Sequence, residues 1–588
     1  MKRRSIVTVS LSLVVLMSGA AFAAPFALAP VDPAFERWSL EKTLDPGENA
    51  TGYVPSPVRF HHTPQPSLKG TLPVRFDLRD LNALTAVKHQ WQCGACWSFA
   101  ACGVLEANLR RATGAVWDFS ENHMKNTHGF LLGPCMGGNN YISMAYLSRW
   151  TGPLLESDDP YNPSTIVPPL EGAVRQKLLL RGVHFTLDES GAERIKNYIY
   201  ETGALSATMM WRDADYNSVS RSYYYSGGQG ATGHMVMLVG WDDQMVIPGA
   251  PGAGAWICKN SWGHYWGDQG FFYISYYDTA FLDDAAGFDT LANPNAYGTL
   301  YYYDPFGLTG FAGSGAQLDV YGANVFHAVQ EESIVAVGTY AVSDNLSYTV
   351  SVIRGGMVNG VPGAPAVSVS GVFETAGYYV VPLPASVELA ENETFTVLVR
   401  YNSPDFDFPM PLERPIAQFC AATAAPGQSY ISEDGLVFTD LPGMGAGWAN
   451  SNVCIKAVAA YKEQEVPVPS VHIVGRPKVE TGQLAVLHAV TAHLAEPMTF
   501  SWYKDGVLLP GAEFRDYTIP SVSAADSGSY VVQVSDDSQG VFNSPPFVLE
   551  VLEEGSLPVA GAPALLLLVL LLTLAGAFLF LNRLSSIK

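Results

Sequence analysis

Residues 93–105 read CGACWSFAACGVL, and this stretch decides the fold class of the first half of the chain. Cys93 and Cys96 open the stretch, and apolar residues at helical spacing follow them. The pattern predicts a buried helix that begins at Cys96. The positive end of such a helix lowers the pKa of a thiol at its first residue, which favours the thiolate. The stretch therefore predicts a thiol at the start of a buried helix, where a thiolate would be favoured.

Three other segments accompany this stretch at characteristic distances along the chain. Gln90 stands six residues before Cys96, and His234, in the segment GHMV, stands 138 residues after it. Asn260 lies in the segment KNSWG at residues 259–263. Together, the four segments resemble the oxyanion, nucleophile, histidine and asparagine segments of the papain-like cysteine proteases, in the order and spacing of that family.

The resemblance implies a peptide hydrolase that forms an acyl-enzyme on Cys96. His234 would be the general acid and base, and Asn260 would orient its ring without adding a negative charge. The side-chain amide of Gln90 would stabilise the oxyanion together with the backbone N–H of Cys96. Trp262 would shield the contact between His234 and Asn260 from water. No cofactor is implied, and no residues have the spacing of a metal site.

A fifth segment, CMGG at residues 135–138, resembles the Cys-x-Gly-Gly segment of the same family. The resemblance implies a disulfide between Cys93 and Cys135. It also implies that Gly137 and Gly138 allow the substrate backbone to approach and form main-chain hydrogen bonds with it. The alternative for the two glycines is a simple turn.

A chain of 588 residues is long enough for several domains, and its sequence features divide it into ranges. A basic start and an apolar run before Ala24 are typical of a secretory signal. The Pro-rich stretch that follows is too short for a domain, and we expect it to block the cleft until it is cut between Gly70 and Leu72. The predicted ranges are 1–23 for the signal peptide, 24–71 for the pro-segment, 72–287 for a papain-like α+β peptidase domain with a helical lobe and a β lobe, 288–463 for an all-β lectin-like module, 464–470 for a Pro-rich linker, 471–553 for an immunoglobulin-like domain and 557–588 for a sorting or anchor segment.

The first β module, residues 288–463, is predicted to be a β-sandwich. It resembles the lectin-like modules that follow papain-like domains in some bacterial surface proteins, which implies binding of a glycan or wall polymer. Tyr301–Tyr303 is one candidate aromatic surface, with packing in the sandwich core as the alternative. Cys420 and Cys454 are candidates for a second disulfide, which an exported protein permits.

The second β module carries two marks of an immunoglobulin-like sandwich. Trp502 stands where such a domain has its buried tryptophan, and Tyr530 stands where it has its tyrosine corner. The paired cysteines of that family are absent, with Val532 at the position of the second one.

The C-terminal segment has the features of an anchor. Residues 557–561, LPVAG, resemble bacterial sorting signals of the Leu-Pro-x-Thr-Gly kind, with Ala560 in the place of threonine. An apolar run over 564–581 is long enough to span a bilayer as a helix, and Arg583 and Lys588 follow it. We therefore expect an exported protein at the cell envelope, held by a membrane helix or by attachment to the wall.

Charge and motifs together define the expected partners. The net charge of −22, with scattered Lys and Arg, excludes binding to nucleic acid. The motifs predict a surface-tethered cysteine endopeptidase that acts on proteins or peptides. The alternative is an adhesin or glycan-binding surface protein, in which the peptidase domain serves maturation or transpeptidation, where an amine instead of water takes the acyl group.

Overall fold

A computed structural model of the chain describes residues 26–44, 52–64, 72–164, 173–187, 191–228, 233–290, 297–315, 319–461, 470–492, 494, 498–536 and 540–553. The chain divides into two compact units. The first is Met1–Asn108 with Asp118–Lys462, and it contains most of the peptidase region and the lectin-like region. The second is Leu109–Trp117 with Glu463–Lys588, and it contains the immunoglobulin-like region.

The α-helices of the described residues all lie in the first half of the chain. They are Pro33–Leu44 (α1), Cys96–Thr113 (α2), Glu121–Thr127 (α3), Asn140–Ser148 (α4) and Gly191–Glu201 (α5). α2 begins at Cys96 as predicted, and its first three turns are buried because nearly all of their side chains are apolar. The side chain of Asn139 caps α4 by accepting a hydrogen bond from the N–H of Ile142.

The peptidase region also contains strands, and all of them except Arg75–Asp77 follow α4 along the chain, which confirms the α+β class. They are Arg75–Asp77, Leu180–Phe185, Leu205–Met209, Tyr216–Asn217, Ser222–Tyr223, His234–Val246, Ala253–Lys259, Phe271–Ser275 and Ala285–Thr290.

The lectin-like region consists of strands and one short 3₁₀ turn among its described residues. The strands are Thr299–Tyr301, Gly310–Gly313, Asp319–His327, Glu332–Ala341, Leu346–Arg354, Pro365–Phe373, Gly377–Leu389, Thr394–Asn402, Met410–Glu413, Ser429–Ser432, Thr439–Asp440, Asn452–Val453 and Ile455–Tyr461.

A single sheet of 13 strands runs through the peptidase and lectin-like regions. The two regions meet where Gly377 and Tyr378 pair antiparallel with Val183 and Gly182. A Cβ atom at Gly377 would lie 2.0 Å from the carbonyl oxygen of Gly182, so only glycine permits this approach. The two regions are therefore joined by backbone hydrogen bonds as well as by the chain.

The N-terminal segment is built into the lectin-like region. Its strand Ala27–Leu28 pairs with Gly310–Gly313, in a four-stranded sheet with Met410–Glu413 and Asn452–Val453. Phe35 of α1 packs edge-on against Phe419, with 5.4 Å between the ring centroids. The segment is thus held by the lectin-like region well before the chain reaches the peptidase region.

For Tyr301 the structure favours the alternative of packing in the sandwich core, because this residue is 8% exposed and its hydroxyl donates to Glu332. Tyr302 and Tyr303 are half-buried. The strand that carries Tyr301 pairs with Ile455–Tyr461, and this pairing turns the ring toward the sandwich core.

The prediction of a disulfide between Cys420 and Cys454 is wrong. Both residues are buried thiols, and each has its own carbonyl acceptor. Sγ of Cys420 donates to the carbonyl of Arg414 at 3.2 Å, and Sγ of Cys454 donates to the carbonyl of Gly307 at 3.4 Å.

The second unit contains a β-sandwich around Trp502. Its strands are Ser470–Val474, Lys478–Glu480, Ala485–Ala492, Met498–Lys504, Val507–Leu508, Asp516–Ile519, Gly528–Asp536, Gly540–Asn543 and Phe547–Leu552. Trp502 is fully buried, and its Nε1 donates to the carbonyl of Phe514 at 2.9 Å. The hydroxyl of Tyr530 donates to the carbonyl of Asp526 at 2.7 Å, which is the contact of a tyrosine corner.

Several predicted features lie outside the described residues. They are the signal peptide at 1–23, the cut site at residues 70 and 71, most of the linker at 464–470, the sorting motif at 557–561 and the membrane helix at 564–581. Among the residues that the structure does describe, no helix is long and apolar enough to cross a membrane.

Candidate active site

Cys96 lies at the first position of α2, where the helix directs its backbone N–H groups toward the thiol. The side chain is completely buried. Burial raises the pKa of the Cys96 thiol to about 12, and hydrogen bonds from the backbone of Met235, Trp97 and Cys96 act in the opposite direction. The site therefore contains groups that stabilise a thiolate, but the buried thiol remains protonated at neutral pH.

His234 and Asn260 come together because adjacent strands carry them. His234 opens the strand His234–Val246, and Asn260 directly follows its antiparallel neighbour Ala253–Lys259. Nε2 of His234 lies 2.9 Å from Oδ1 of Asn260. The indole of Trp262 stacks on the imidazole of His234 at 4.8 Å and 25°. The imidazole is therefore held in one orientation from two sides.

Gln90 connects the cysteine segment to the asparagine segment. Its Nε2 donates to the carbonyl of Cys93 at 2.8 Å, and its Oε1 accepts a hydrogen bond from the hydroxyl of Ser261 at 2.6 Å. The backbone N–H of Gln90 also donates to the carbonyl of Ser261 at 2.8 Å. Sequence reasoning missed Ser261, whose contact with Gln90 depends on residues 171 positions apart.

A disulfide joins Cys93 to Cys135. Next to it, the N–H of Gly94 donates to the carbonyl of Cys135 at 3.2 Å. These contacts attach the CMGG segment to the loop that precedes Cys96. Gly137 has a φ of +91°, which favours glycine and directs the chain into Gly138.

Residues 52–54 of the N-terminal segment lie across the cleft. The N–H of Gly138 donates to the carbonyl of Gly52 at 3.0 Å, and the N–H of Val54 donates to the carbonyl of Gly138 at 2.9 Å. The side-chain amide of Asn139, a residue without an assigned role in the sequence analysis, donates to the carbonyl of Val54 at 2.9 Å. A Cβ atom at Gly52 would lie 2.9 Å from Sγ of Cys96. The segment therefore covers the thiol directly.

The next part of the segment is attached to the peptidase region. The guanidinium of Arg59 forms a bidentate pair with Asp283, with distances of 3.0 and 2.8 Å. The N–H of Phe60 donates to the hydroxyl of Tyr141 at 3.1 Å, and the two rings stack at 5.0 Å. These contacts hold residues 52–54 over the cleft from the C-terminal side of the segment.

His62 connects the segment to both regions through a chain of hydrogen bonds. Its Nδ1 lies 3.2 Å from Oδ1 of Asp344, and its Nε2 lies 2.8 Å from Nδ1 of His184. Nε2 of His184 lies 3.0 Å from Oδ1 of Asp284, and Arg194 pairs with Asp344 at 2.9 Å. Only one proton fits between the two facing ring nitrogens. A second proton there would break the bond between His62 and His184.

Paired charges lie beneath the site, and the sequence analysis did not predict them. Nζ of Lys88 lies 2.8 Å from Glu121 and 3.5 Å from Glu106, while Nζ of Lys259 donates to the carbonyl of Thr85 at 2.9 Å. Burial raises the pKa of Glu121 while Lys88 acts in the opposite direction, and burial lowers the pKa of Lys259 to about 8. Lys88 thus links α2 to α3, and Lys259 links its strand to the loop at Thr85. In the described part of the chain, no group of three or more His, Cys, Asp or Glu could hold a metal ion.

The cysteine at a helix start, the neighbouring His–Asn pair and the two-part fold define a papain-type cysteine protease site. A family model described as "Papain family cysteine protease" matches residues 72–284, and one described as "Lectin like domain" matches residues 300–459. Residues 72–284 are therefore a papain-family cysteine protease domain, and residues 300–459 are a lectin-like domain.

Known relatives resemble about a third of the chain. The viral cathepsin of Epiphyas postvittana nucleopolyhedrovirus is 32% identical over 209 residues, which are 35% of this chain and 60% of the viral protein. Cathepsin K of Mus musculus is 28% identical over 216 residues, again 35% of this chain and 60% of the relative. The chain thus spans little more than half the length of these curated relatives.

The structural comparison covers both regions of the first unit. The crystal structure of the cysteine protease and lectin-like domains of Cwp84, a surface layer associated protein of Clostridium difficile, superposes with a TM-score of 0.64. It is 25% identical and covers 74% of this chain and 98% of its own. The order of a protease region followed by a lectin-like region is therefore shared with a bacterial surface protein.

Proposed function

We propose that the protein is a cysteine endopeptidase of the cell surface that hydrolyses peptide bonds through Cys96. The observation that carries this proposal is Cys96 at the start of α2 within a domain that also pairs His234 with Asn260. Nε2 of His234 is engaged by Asn260, so Nδ1 is the ring nitrogen that would exchange a proton with the thiol.

The reaction proceeds by acyl transfer. The Cys96 thiolate attacks the peptide carbonyl carbon, and the electron pair of the carbonyl moves to its oxygen. One amide proton of Gln90 and the N–H of Cys96 stabilise that oxyanion. The C–N bond then breaks, and imidazolium His234 gives its proton to the leaving amine. In the second half, His234 takes a proton from water, the hydroxide attacks the thioester, and the C–S bond breaks.

Asn260→Ala should reduce activity through the loss of ring orientation. A hydrogen bond to a group that becomes charged contributes about 1.5–3 kcal/mol, so we expect kcat/KM to fall by about 10- to 100-fold. Asn260→Asp keeps the acceptor and should retain more activity. The measurement is kcat/KM against pH for both variants, and wild-type activity in Asn260→Ala would contradict the assigned role.

We also propose that residues 24–71 are a pro-segment that keeps the enzyme inactive until it leaves the cleft. Support comes from Gly52 above the thiol and from the bonds between the segment and Gly138. Because the lectin-like region binds the segment through Ala27–Leu28 and Phe35, a cut after residue 64 leaves these contacts in place. Release then requires the bound segment to dissociate as well.

Acid should accelerate this release. Burial lowers the pKa of His184 from 6.5, with Arg59 and His62 acting in the same direction and Asp284 against them, so the bound segment favours the uncharged ring. That stabilisation is present above pH 6.5 and decreases as the pH falls below it, because the His184 ring takes up a proton more readily once the segment has left.

We therefore expect activation to be faster at about pH 5 than at about pH 7.5, when samples are incubated at each pH and assayed at one common pH. His62→Gln should activate rapidly at both values. A wild-type activation rate that does not change with pH would contradict this interpretation.

The location and the partners are proposals of the same kind. We infer export and attachment through residues 557–588, supported by the similarity to a surface layer associated protein. We infer glycan or wall-polymer binding by residues 288–463, supported by the lectin-like match. Binding of the full-length Cys96→Ala chain to a glycan array would support it, and no binding to any glycan or to isolated cell wall would contradict it.

Digestion of a mixed peptide library tests the proposed activity. Internal cuts that disappear in Cys96→Ala would establish an endopeptidase, whereas removal of single terminal residues would identify an exopeptidase. Products that carry an added amine would instead identify transpeptidation. No Cys96-dependent product, even from chain without residues 24–71, would leave the adhesin as the better proposal.

A further inference from the structure

Trp91, which directly follows Gln90, has two unusual properties. Its side chain is 61% exposed, although tryptophan is among the most costly side chains to leave in water. Its φ is +54°, in the left-handed region that favours glycine. A large ring is therefore kept at a strained and exposed position beside the cleft, which is where functional residues are often found.

The ring of Trp91 is fixed in place. It stacks face to face on the imidazole of His89, with 4.2 Å between centroids and 4° between planes. The N–H of Trp91 donates to Nδ1 of His89 at 2.9 Å. Because Nδ1 of His89 accepts this bond, it carries no proton and the ring is uncharged, and burial, which lowers the pKa of His89, acts in the same direction. The two rings form a flat apolar surface, the His89–Trp91 platform.

The platform is attached to the histidine side of the active site. The backbone of His89 forms a bridge with Trp262, and the His89 ring lies close to Gly263, where a Cβ atom would be 2.9 Å from Cδ2. Trp262 in turn stacks on His234. In the proposed reaction, His234 protonates the leaving amine, so the part of the substrate that follows the scissile bond lies on this side.

We propose that the His89–Trp91 platform is a subsite for a large apolar or aromatic side chain among the first residues after the scissile bond. The inference rests on the proposed peptidase activity. A flat, uncharged, preordered ring pair binds such a side chain by stacking and by removal of apolar surface from water. The platform would thus select substrates by their leaving-group half.

Trp91→Gly tests this proposal, because glycine suits the backbone and the variant should fold without loss of thermal stability. Two substrates that share their acyl half are compared. Both are internally quenched peptides; one has Phe or Leu directly after the scissile bond, and the other has Gly there. We expect kcat/KM to fall about tenfold or more for the Phe or Leu peptide and to change less than about twofold for the Gly peptide.

Tyr277→Ala, which removes another exposed ring, is the matched control and should leave both values unchanged. Equal losses for the two substrates, or no loss for the Phe or Leu peptide, would overturn the proposed subsite. Failure of the proposed activity would look different, because the wild type would then cleave neither substrate in a Cys96-dependent manner.

Discussion

Replacing Cys96 by alanine should reduce kcat for peptide hydrolysis by about 10⁶-fold, the loss typical of a removed catalytic nucleophile. The variant has no atom that can form the thioester, whereas Gln90 and His234 remain in place. The fold should persist, because the buried thiol contributes only a small apolar group to the start of α2. The measurement is kcat and KM on an internally quenched peptide, with circular dichroism to verify the fold.

Cys102→Ala is the matched control for this substitution. Cys102 is a buried thiol on the same helix and is not in a disulfide. Its removal should cost about 1 kcal/mol of stability and leave kcat within about twofold of wild type. The reverse result, an inactive Cys102→Ala beside an active Cys96→Ala, would refute the assignment of the nucleophile.

The second large effect concerns the segment over the thiol. With a pKa of about 12, Cys96 is almost entirely protonated at neutral pH, and Gly52 covers it. Once the segment leaves, the helix start and His234 should lower the pKa to about 7 or less. We expect iodoacetamide to alkylate the uncovered thiol at least about 10³-fold faster, since the thiolate is the nucleophile.

Gly52→Ala provides the test within the full chain. The added Cβ would lie 2.9 Å from Sγ of Cys96, at a φ of +87° that alanine rarely adopts, so the segment should be displaced. Gly228→Ala has a similar φ of +93° with no atom within 4 Å of the new Cβ, and it should behave as wild type. Alkylation is measured over time by the intact mass of the protein. Equal alkylation rates for Gly52→Ala and wild type would contradict the blocking role of the segment.

The local motifs of the protease domain could be predicted from the sequence because each consists of a few neighbouring residues around one reactive side chain. The start of α2 at Cys96 follows from an apolar run after a small loop, and the structure confirms it. The segments around His234 and Asn260 could also be recognised. Each lies at the end of a strand and carries one side chain that the reaction requires.

Contacts between distant parts of the chain could not be predicted in this way. The pairing of Gly377 with Val183 joins strands of two different regions that lie far apart in the chain. The bond between His62 and His184 depends on a segment that has no periodicity of its own. The two alternatives for Tyr301–Tyr303 could not be separated, because aromatic residues in a strand have the same sequence pattern whether they face a ligand or a core.

Reaction with a thiol-reactive peptidyl epoxide, followed by peptide mapping, identifies the nucleophile directly. The full chain and the chain from which residues 24–71 have been removed are treated side by side. We expect an adduct on Cys96 that forms rapidly only in the uncovered chain and coincides with loss of peptide hydrolysis. An adduct on a different residue, or hydrolysis that survives complete labelling of Cys96, would contradict it.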